Sequence, residues 1–257
     1  NDFRYAAKDF VRGSGNRDWL KGSVFGSVDL WALNPLQPVN YLESHDDVAY
    51  IDEITLNPGK DGRELNDRDA AMNRLAATIL FTSLGKAMLY EGQEFLRSKW
   101  GIFNTYNRGD AVNAVRWTDR DRPLARQALD YYAGLVQLRM SEEGSAFRVA
   151  QRPPRSYYRW LMPDNPKLMG YVVNVPQLHA GRGFVVLLNA DDRPREFDVE
   201  LGGASAWKMV GNGREIDRRG LAPRSWPAGK APPTWPAGWQ GQIEVPKLES
   251  VILMNGF

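Results

Sequence analysis

The chain has 257 residues, of which 43% are apolar and 25% charged, and 33 Lys and Arg against 31 Asp and Glu leave a net charge of +2. That balance is ordinary for a soluble globular protein, and dispersed cations without a basic block give no support to nucleic-acid binding. The absence of Cys excludes disulfides and thiolate metal sites, two histidines (His45 and His179) are too few for a His-built zinc centre, and no apolar run is long enough to cross a membrane.

In chain order, Phe3, Ala6, Ala7, Phe10 and Val11 recur at helical spacing, and Gly13 and Gly15 stop the run, so a helix is predicted over 3–11. The opening Asn1-Asp2-Phe3-Arg4 lacks the basic-then-apolar order of a signal peptide. The compartment stays open between extracellular and cytoplasmic. Residues 14–37 are rich in Gly, Ser and Asn and read as a long loop with room for a short helix, anchored by Trp19, Phe25 and Trp31. Pro35 and Pro38 punctuate the approach to a short buried strand carrying Val39, Tyr41 and Leu42. That strand ends abruptly in Glu43, His45, Asp46 and Asp47, three carboxylates and an imidazole within five residues. Such crowding is costly in a core and useful in a cleft. An isolated His-Asp pair also fits a solvated loop with a hydrogen-bonded His.

Residues 56–62 carry turn chemistry, and Asn66 and Asp67 can cap a helix over 68–83 whose stripe is Met72, Leu75, Ala76, Ile79 and Leu80. Gly85 ends it, and Ala87 to Tyr90 reads as a second short strand. Strand, helix and strand in that order require a parallel pairing. Pro123 opens a further helix, with Leu124, Ala128, Tyr131, Leu135 and Leu138 on one side. Beyond Ser141 the period changes, and strands are predicted at 157–162, 169–175, 184–189, 197–201, 207–210 and 251–254. The stretch from Ser225 to Gln240 repeats Trp-Pro-Ala-Gly and reads as a hairpin or surface loop; Trp226, Trp235 and Trp239 are taken as packing residues, with sugar stacking as the alternative.

Four segments in this order resemble the α-amylase superfamily, nearest its pullulanase or debranching type. Asn1 to Arg4 with Val11-Arg12-Gly13-Ser14 resembles the helix after the sixth barrel strand, and Val-Asn-Tyr-Leu-Glu-Ser-His-Asp-Asp at 39–47 resembles the end of the seventh. Gly85 to Arg97, with its Gly-Gln-Glu-Phe, resembles the eighth strand and its exit, while Thr105-Tyr106-Asn107, Asp110, Asn113 and Trp117 resemble the Ser-Tyr-Asn loop that follows. The resemblance covers about residues 1–140.

The resemblance implies an α/β plus all-β fold: residues 1–141 as the C-terminal part of a (β/α)₈ barrel holding its last two strands, then an antiparallel β-sandwich over 142–257. It implies part of a retaining α-glucan hydrolase cleaving α-1,6 branch linkages in starch- or glycogen-type polysaccharide. Retaining glycosidases need two carboxyl groups about 5 Å apart, set at the C-terminal ends of barrel strands. In this family they lie on the fourth and fifth strands, so the resemblance implies that both belong to a missing N-terminal part of the same polypeptide. Asp46 would then be the transition-state stabiliser, in contact with hydroxyls of the cleaved sugar, with His45 donating to that sugar. Tyr106, Asn107 and Asp110 would line neighbouring glucose subsites, and Glu94 and Asp2 would be structural carboxylates. No cofactor is implied for this chain; calcium is compatible with the complete enzyme. The chain departs from the family pattern in Asp47 for Asn, Ala87 for Pro, Tyr90-Glu91 for His-Ala and Arg108-Gly109 for Ser-Pro, which bears on linkage preference. Two other readings are a non-catalytic carbohydrate-binding or assembly module, and a complete enzyme drawing its own pair from Glu43, Asp46 and Glu94.

Overall fold

A computed structural model describes residues 2–175, 177–222 and 233–256. The first helix, α1 (Asp2–Val11), buries the stripe its spacing sets out, together with Arg4. The chain turns after it at Gly13, whose φ of +77° favours a residue without Cβ. Helix α2 (Arg17–Val24) occupies the expected loop region, and the Asn16 side chain caps it by accepting from the backbone N–H of Asp18 and Trp19. Phe25 is buried and Trp19 packs against the core, but Trp31 is 58% exposed and anchors nothing.

Strand β1 (Val39–Asn40) leads through α3 (Tyr50–Ile54) to α4 (Asp67–Phe81), and α4 returns the chain to β2 (Lys86–Ala87). The two strands pair in parallel, Val39 opposite Lys86 and Asn40 opposite Ala87. Both are shorter than the sequence predicts. Among the described residues each has a single hydrogen-bonded neighbour, and a strand with one partner has little to hold it in register. Val39, Met88 and Leu89 are correspondingly exposed, which corrects the expectation of a buried strand at Val39.

The short α5 (Asp110–Asn113) precedes α6 (Pro123–Met140), which has Pro at its start and packs beside α4. Helix α4 is buried on almost every side because it lies between α1, α3, α6 and a large sheet. Its C-terminus points three carbonyls at one guanidinium: Arg139 donates to Phe81 O (2.8 Å), Ser83 O (2.7 Å) and Gly85 O (2.6 Å). A cation at that end answers both the unpaired carbonyls and the helix dipole.

The remaining strands are β3 (Tyr158–Leu161), β4 (Leu168–Val173), β5 (Phe184–Asn189), β6 (Arg195–Glu200), β7 (Trp207–Gly211), β8 (Thr234–Trp235), β9 (Gln240–Val245) and β10 (Ser250–Asn255). Six form one antiparallel sheet in the order β3-β4-β5-β10-β7-β8, and β6 pairs with β9 in a separate antiparallel sheet. Central strands β4, β5 and β10 are buried along their whole length because both faces of the larger sheet are covered. On one face Val185, Leu187 and Leu253 meet Phe197, Val199 and Ile243 of the smaller sheet. On the other, Tyr171, Val186 and Ile252 join Leu75, Ile79, Tyr131 and Leu135 of the helices.

That second contact makes the core continuous across residue 141. Polar contacts cross it too, since Thr78 Oγ1 lies 2.7 Å from Tyr131 Oη and 3.0 Å from Ser250 Oγ. Trp235 and Trp239 pack against one another, with ring centres 6.0 Å apart, and against the core between the two sheets. Trp226 and the first copy of the Trp-Pro-Ala-Gly repeat lie outside the described residues.

Candidate active site

The turn that follows β1 sorts its polar residues into two environments. Glu43 is buried, and one of its oxygens accepts from the backbone N–H of Tyr50 at 3.0 Å. Among the described residues its other oxygen has no hydrogen-bond partner. Burial pushes the Glu43 carboxyl up to about 8, against the Tyr50 hydrogen bond and the charges of Lys99 and Arg97. Two residues on, the His45 and Asp46 side chains are 80% and 64% exposed, with His45 Nε2 3.4 Å from Asp46 Oδ1. Among the described residues neither side chain hydrogen-bonds any other protein group.

The backbone carrying them is held from several sides. Lys99 Nζ donates to the His45 carbonyl at 3.3 Å. Asp47 sits at φ +64°, and its carboxylate accepts from Arg4 Nη1 at 3.1 Å. The same guanidinium donates to Val48 O at 2.8 Å and to Glu53 Oε2 at 2.6 and 2.9 Å. The Asp47 carbonyl in turn accepts from Asn104 N–H at 3.2 Å, which brings the loop after β2 against the turn.

That loop places the other candidate residues. Gly92 takes φ +93°, and a Cβ there would lie 2.5 Å from the Arg97 side chain, so the Gly of Gly-Gln-Glu-Phe is required twice over. Left-handed backbone recurs at Leu96, Trp100 and Asn104. Non-glycine residues in that region cost on the order of 1 kcal/mol each and persist where surrounding contacts fix them. Here Thr105 and Asn113 bond reciprocally, Thr105 Oγ1 donating to Asn113 Oδ1 (2.6 Å) and Asn113 Nδ2 to Thr105 O (2.7 Å). The bracketed segment leaves Tyr106 82% exposed and Asn107 and Asp110 facing solvent. The structure thus brings His45 and Asp46 together and sets the loop of Tyr106, Asn107 and Asp110 beside their turn.

Glu94 accepts from Gly92 N–H at 3.0 Å, the structural role its position suggests. With Glu43 sealed from solvent and Glu94 tied to backbone, neither is placed to work with Asp46 as a hydrolytic pair. Among the described residues no group of three or more acidic and His side chains is arranged to hold a metal ion. Two residues beneath the turn escape sequence reading, Arg4 and Asp52. The only signal for either is a charge in an apolar stripe: Arg4 among Phe3, Ala6 and Ala7, and Asp52 between Ile51 and Ile54.

No protein-family model matches the chain. Over 156 residues it is 30% identical to the pullulanase of Bacillus subtilis (strain 168), which takes in 58% of this chain and 21% of that protein. Over 227 residues it is 26% identical to the glycogen debranching enzyme of Dickeya chrysanthemi, taking in 80% of this chain and 33% of that protein. Its homologues are pullulanases and glycogen debranching enzymes.

Solved pullulanases share the fold. The pullulanase from Bacillus acidopullulyticus superposes with a TM-score of 0.78 at 23% identity, over 98% of this chain and 30% of that one. A mutant pullulanase from Paenibacillus barengoltzii, complexed with maltotetraose, gives a TM-score of 0.74 at 26% identity, over 98% of this chain and 38% of that one. The chain spans well under half the length of each of these four enzymes.

Proposed function

We propose that these residues are part of a retaining α-glucan hydrolase that opens α-1,6 branch linkages in starch- or glycogen-type polysaccharide. In this reading the chain supplies substrate contacts, while the nucleophile and the acid come from a part of the polypeptide outside the 257 residues. The observation that carries it is the contrast within one turn. Glu43 and Asp47, on either side, are tied to the protein, while the His45 and Asp46 side chains are largely exposed and, among the described residues, bond no other protein group.

A free carboxylate on a fixed turn can accept hydrogen bonds from two sugar hydroxyls. Those bonds strengthen as the ring flattens and gains positive charge, so Asp46 binds the transition state more tightly than the ground state. His45 donates to the same sugar. Tyr106, Asn107 and Asp110 serve adjacent glucose units, the exposed Tyr ring offering a face for stacking.

In the same reading residues 1–141 are the last two strands and helices of a (β/α)₈ barrel, and 142–257 a β-sandwich. The parallel β1-α4-β2 unit with a free edge on each strand supports the first, and the two sheets meeting across an apolar layer support the second. The partner for the exposed Val39, Met88 and Leu89 is the remainder of the barrel. The relatives' names support the substrate class, as does the maltotetraose of the Paenibacillus barengoltzii complex. The test is the product profile from pullulan, using a polypeptide of the relatives' length that contains this chain. Maltotriose from α-1,6 cleavage is expected. Products of α-1,4 cleavage would reject the linkage assignment, and no turnover would favour a non-catalytic module.

A further inference from the structure

Asp52 has no solvent exposure, yet its carboxylate is not neutralised by an ion pair; among the described residues no cation lies within salt-bridge distance of it. Hydrogen bonds hold it instead. Ser98 Oγ donates at 2.6 Å, Gly62 N–H at 2.7 Å and Lys99 N–H at 2.8 Å. Burial pushes the carboxyl up, while these donors and the Gly101 backbone draw it back down. The donors belong to two loops remote in sequence, one before α4 and one after β2. A single carboxylate on α3 therefore fixes both loops relative to the turn that precedes it.

Lys99 extends this linkage to the candidate site. Its N–H is held by Asp52, but its ammonium points away, to the His45 carbonyl at 3.3 Å and over the Tyr90 ring at 4.8 Å from the centroid. Lys99 is only 2% exposed, so that ammonium reaches no substrate in solution. Carbonyl and aromatic partners take the place of water around a buried ammonium. Its position is consequently defined on one side by Asp52 and on the other by His45.

We propose that Asp52 and Lys99 are positioning residues that set the orientation of the His45–Asp46 turn, Asp52 by fixing the Lys99 backbone and Lys99 by holding the His45 carbonyl. Their consequence for glucan recognition rests on the function proposed above. Their effect on the turn does not.

The test uses the full 257-residue chain and NMR of its two imidazoles, His45 and His179. His179 lies between β4 and β5, where its backbone N–H is held by Asn174 at 2.9 Å, and it serves as the internal reference. Lys99→Met keeps an unbranched apolar stem and removes the charge; Lys99→Arg keeps a cationic donor; Asp52→Asn keeps size but turns an acceptor oxygen into a donor facing an N–H. We expect the His45 signals to move and broaden in Lys99→Met and Asp52→Asn, with His179 unmoved and Lys99→Arg close to the parent. Should Asp52→Asn fail to fold, the two Lys99 variants decide. Parent-like His45 signals in Lys99→Met overturn the proposal, as does equal disturbance in Lys99→Arg and Lys99→Met. A maltotriose titration of the same His45 signals in a polypeptide of the relatives' length that contains this chain forms the second arm, in which Lys99→Met is expected to weaken the response by about tenfold, the scale of one hydrogen bond to a charged group. Maltotriose leaving the parent's His45 unmoved would count against the proposed function while the variant comparison still decides the positioning role.

Discussion

Arg4 on the first helix reaches the carboxylate of Asp47 at 3.1 Å, so the residue directly after Asp46 is braced by a helix 43 residues earlier in the chain. The same guanidinium, 1% exposed, also satisfies Glu53 and the Val48 carbonyl. Bracing by one planar fork fixes direction as well as distance.

Replacing Arg4 by Ala should therefore cost stability and disorder the turn. It leaves the Glu53 carboxylate, 15% exposed, with Lys8 Nζ at 3.3 Å as its remaining cation among the described residues, and removing one partner of a buried pair costs about 3–5 kcal/mol. Urea unfolding of the parent and of Arg4→Ala measures the loss, which should fall near the lower end because Asp47 can still reach water. A change under about 0.5 kcal/mol, the size of a surface substitution, would show that the brace is dispensable.

Glu43 gives the fold a pH dependence with a defined sign. Burial pushes its carboxyl up to about 8 in the folded chain against an ordinary value of 4.5 for Glu, so the folded state binds the proton more tightly. Stability from this group is fully present below about 4.5, declines as pH rises, and is lost above about 8. Glu43→Gln, which cannot titrate, should remove that decline. Unfolding free energies of parent and variant between pH 4.5 and 9 provide the check, and a difference that stays constant or grows with pH in favour of the parent would contradict it.

Much of this arrangement was legible in the sequence, for reasons visible in particular residues. The stripes Phe3 to Val11 and Met72 to Leu80 became α1 and α4 because one-sided burial writes a helical period, and Asn66 caps α4 as its position suggested. His45 and Asp46 were marked by charge at the end of an apolar run. Trp31 was misread because an isolated aromatic says nothing of which neighbour will cover it, and the strands at Val39 and Ala87 came out shorter because pairing depends on partners that a local pattern does not name. Arg4 and Asp52 were hidden for a related reason. Each does its work through a fixed fork or fan of bonds to segments 43 to 49 residues away for Arg4, and 10 to 47 away for Asp52.

The shared core across residue 141 leads to a third prediction. The helices and one face of the six-stranded sheet bury each other's apolar surface, so the two parts of the chain should unfold together. Hydrogen exchange should show comparable protection in α4, α6, β5 and β10, with Val39 at a free strand edge exchanging fast. Independent unfolding of residues 142–257, with α4 already unprotected, would show that the interface contributes little. In the proposed function the 257-residue chain alone also releases no reducing sugar from pullulan or starch, since it lacks the bond-making carboxylates.

The central claim is that Asp46 meets the sugar in the transition state, and Asp46→Ala in a polypeptide of the relatives' length tests it most directly. Its side chain is exposed and, among the described residues, bonds no protein group beyond its contact with His45, so unfolding stability should match the parent while kcat and kcat/KM on pullulan both fall by about a hundredfold or more, the scale for loss of a transition-state contact. Turnover of pullulan at the parent rate by a fully folded Asp46→Ala variant would contradict the account.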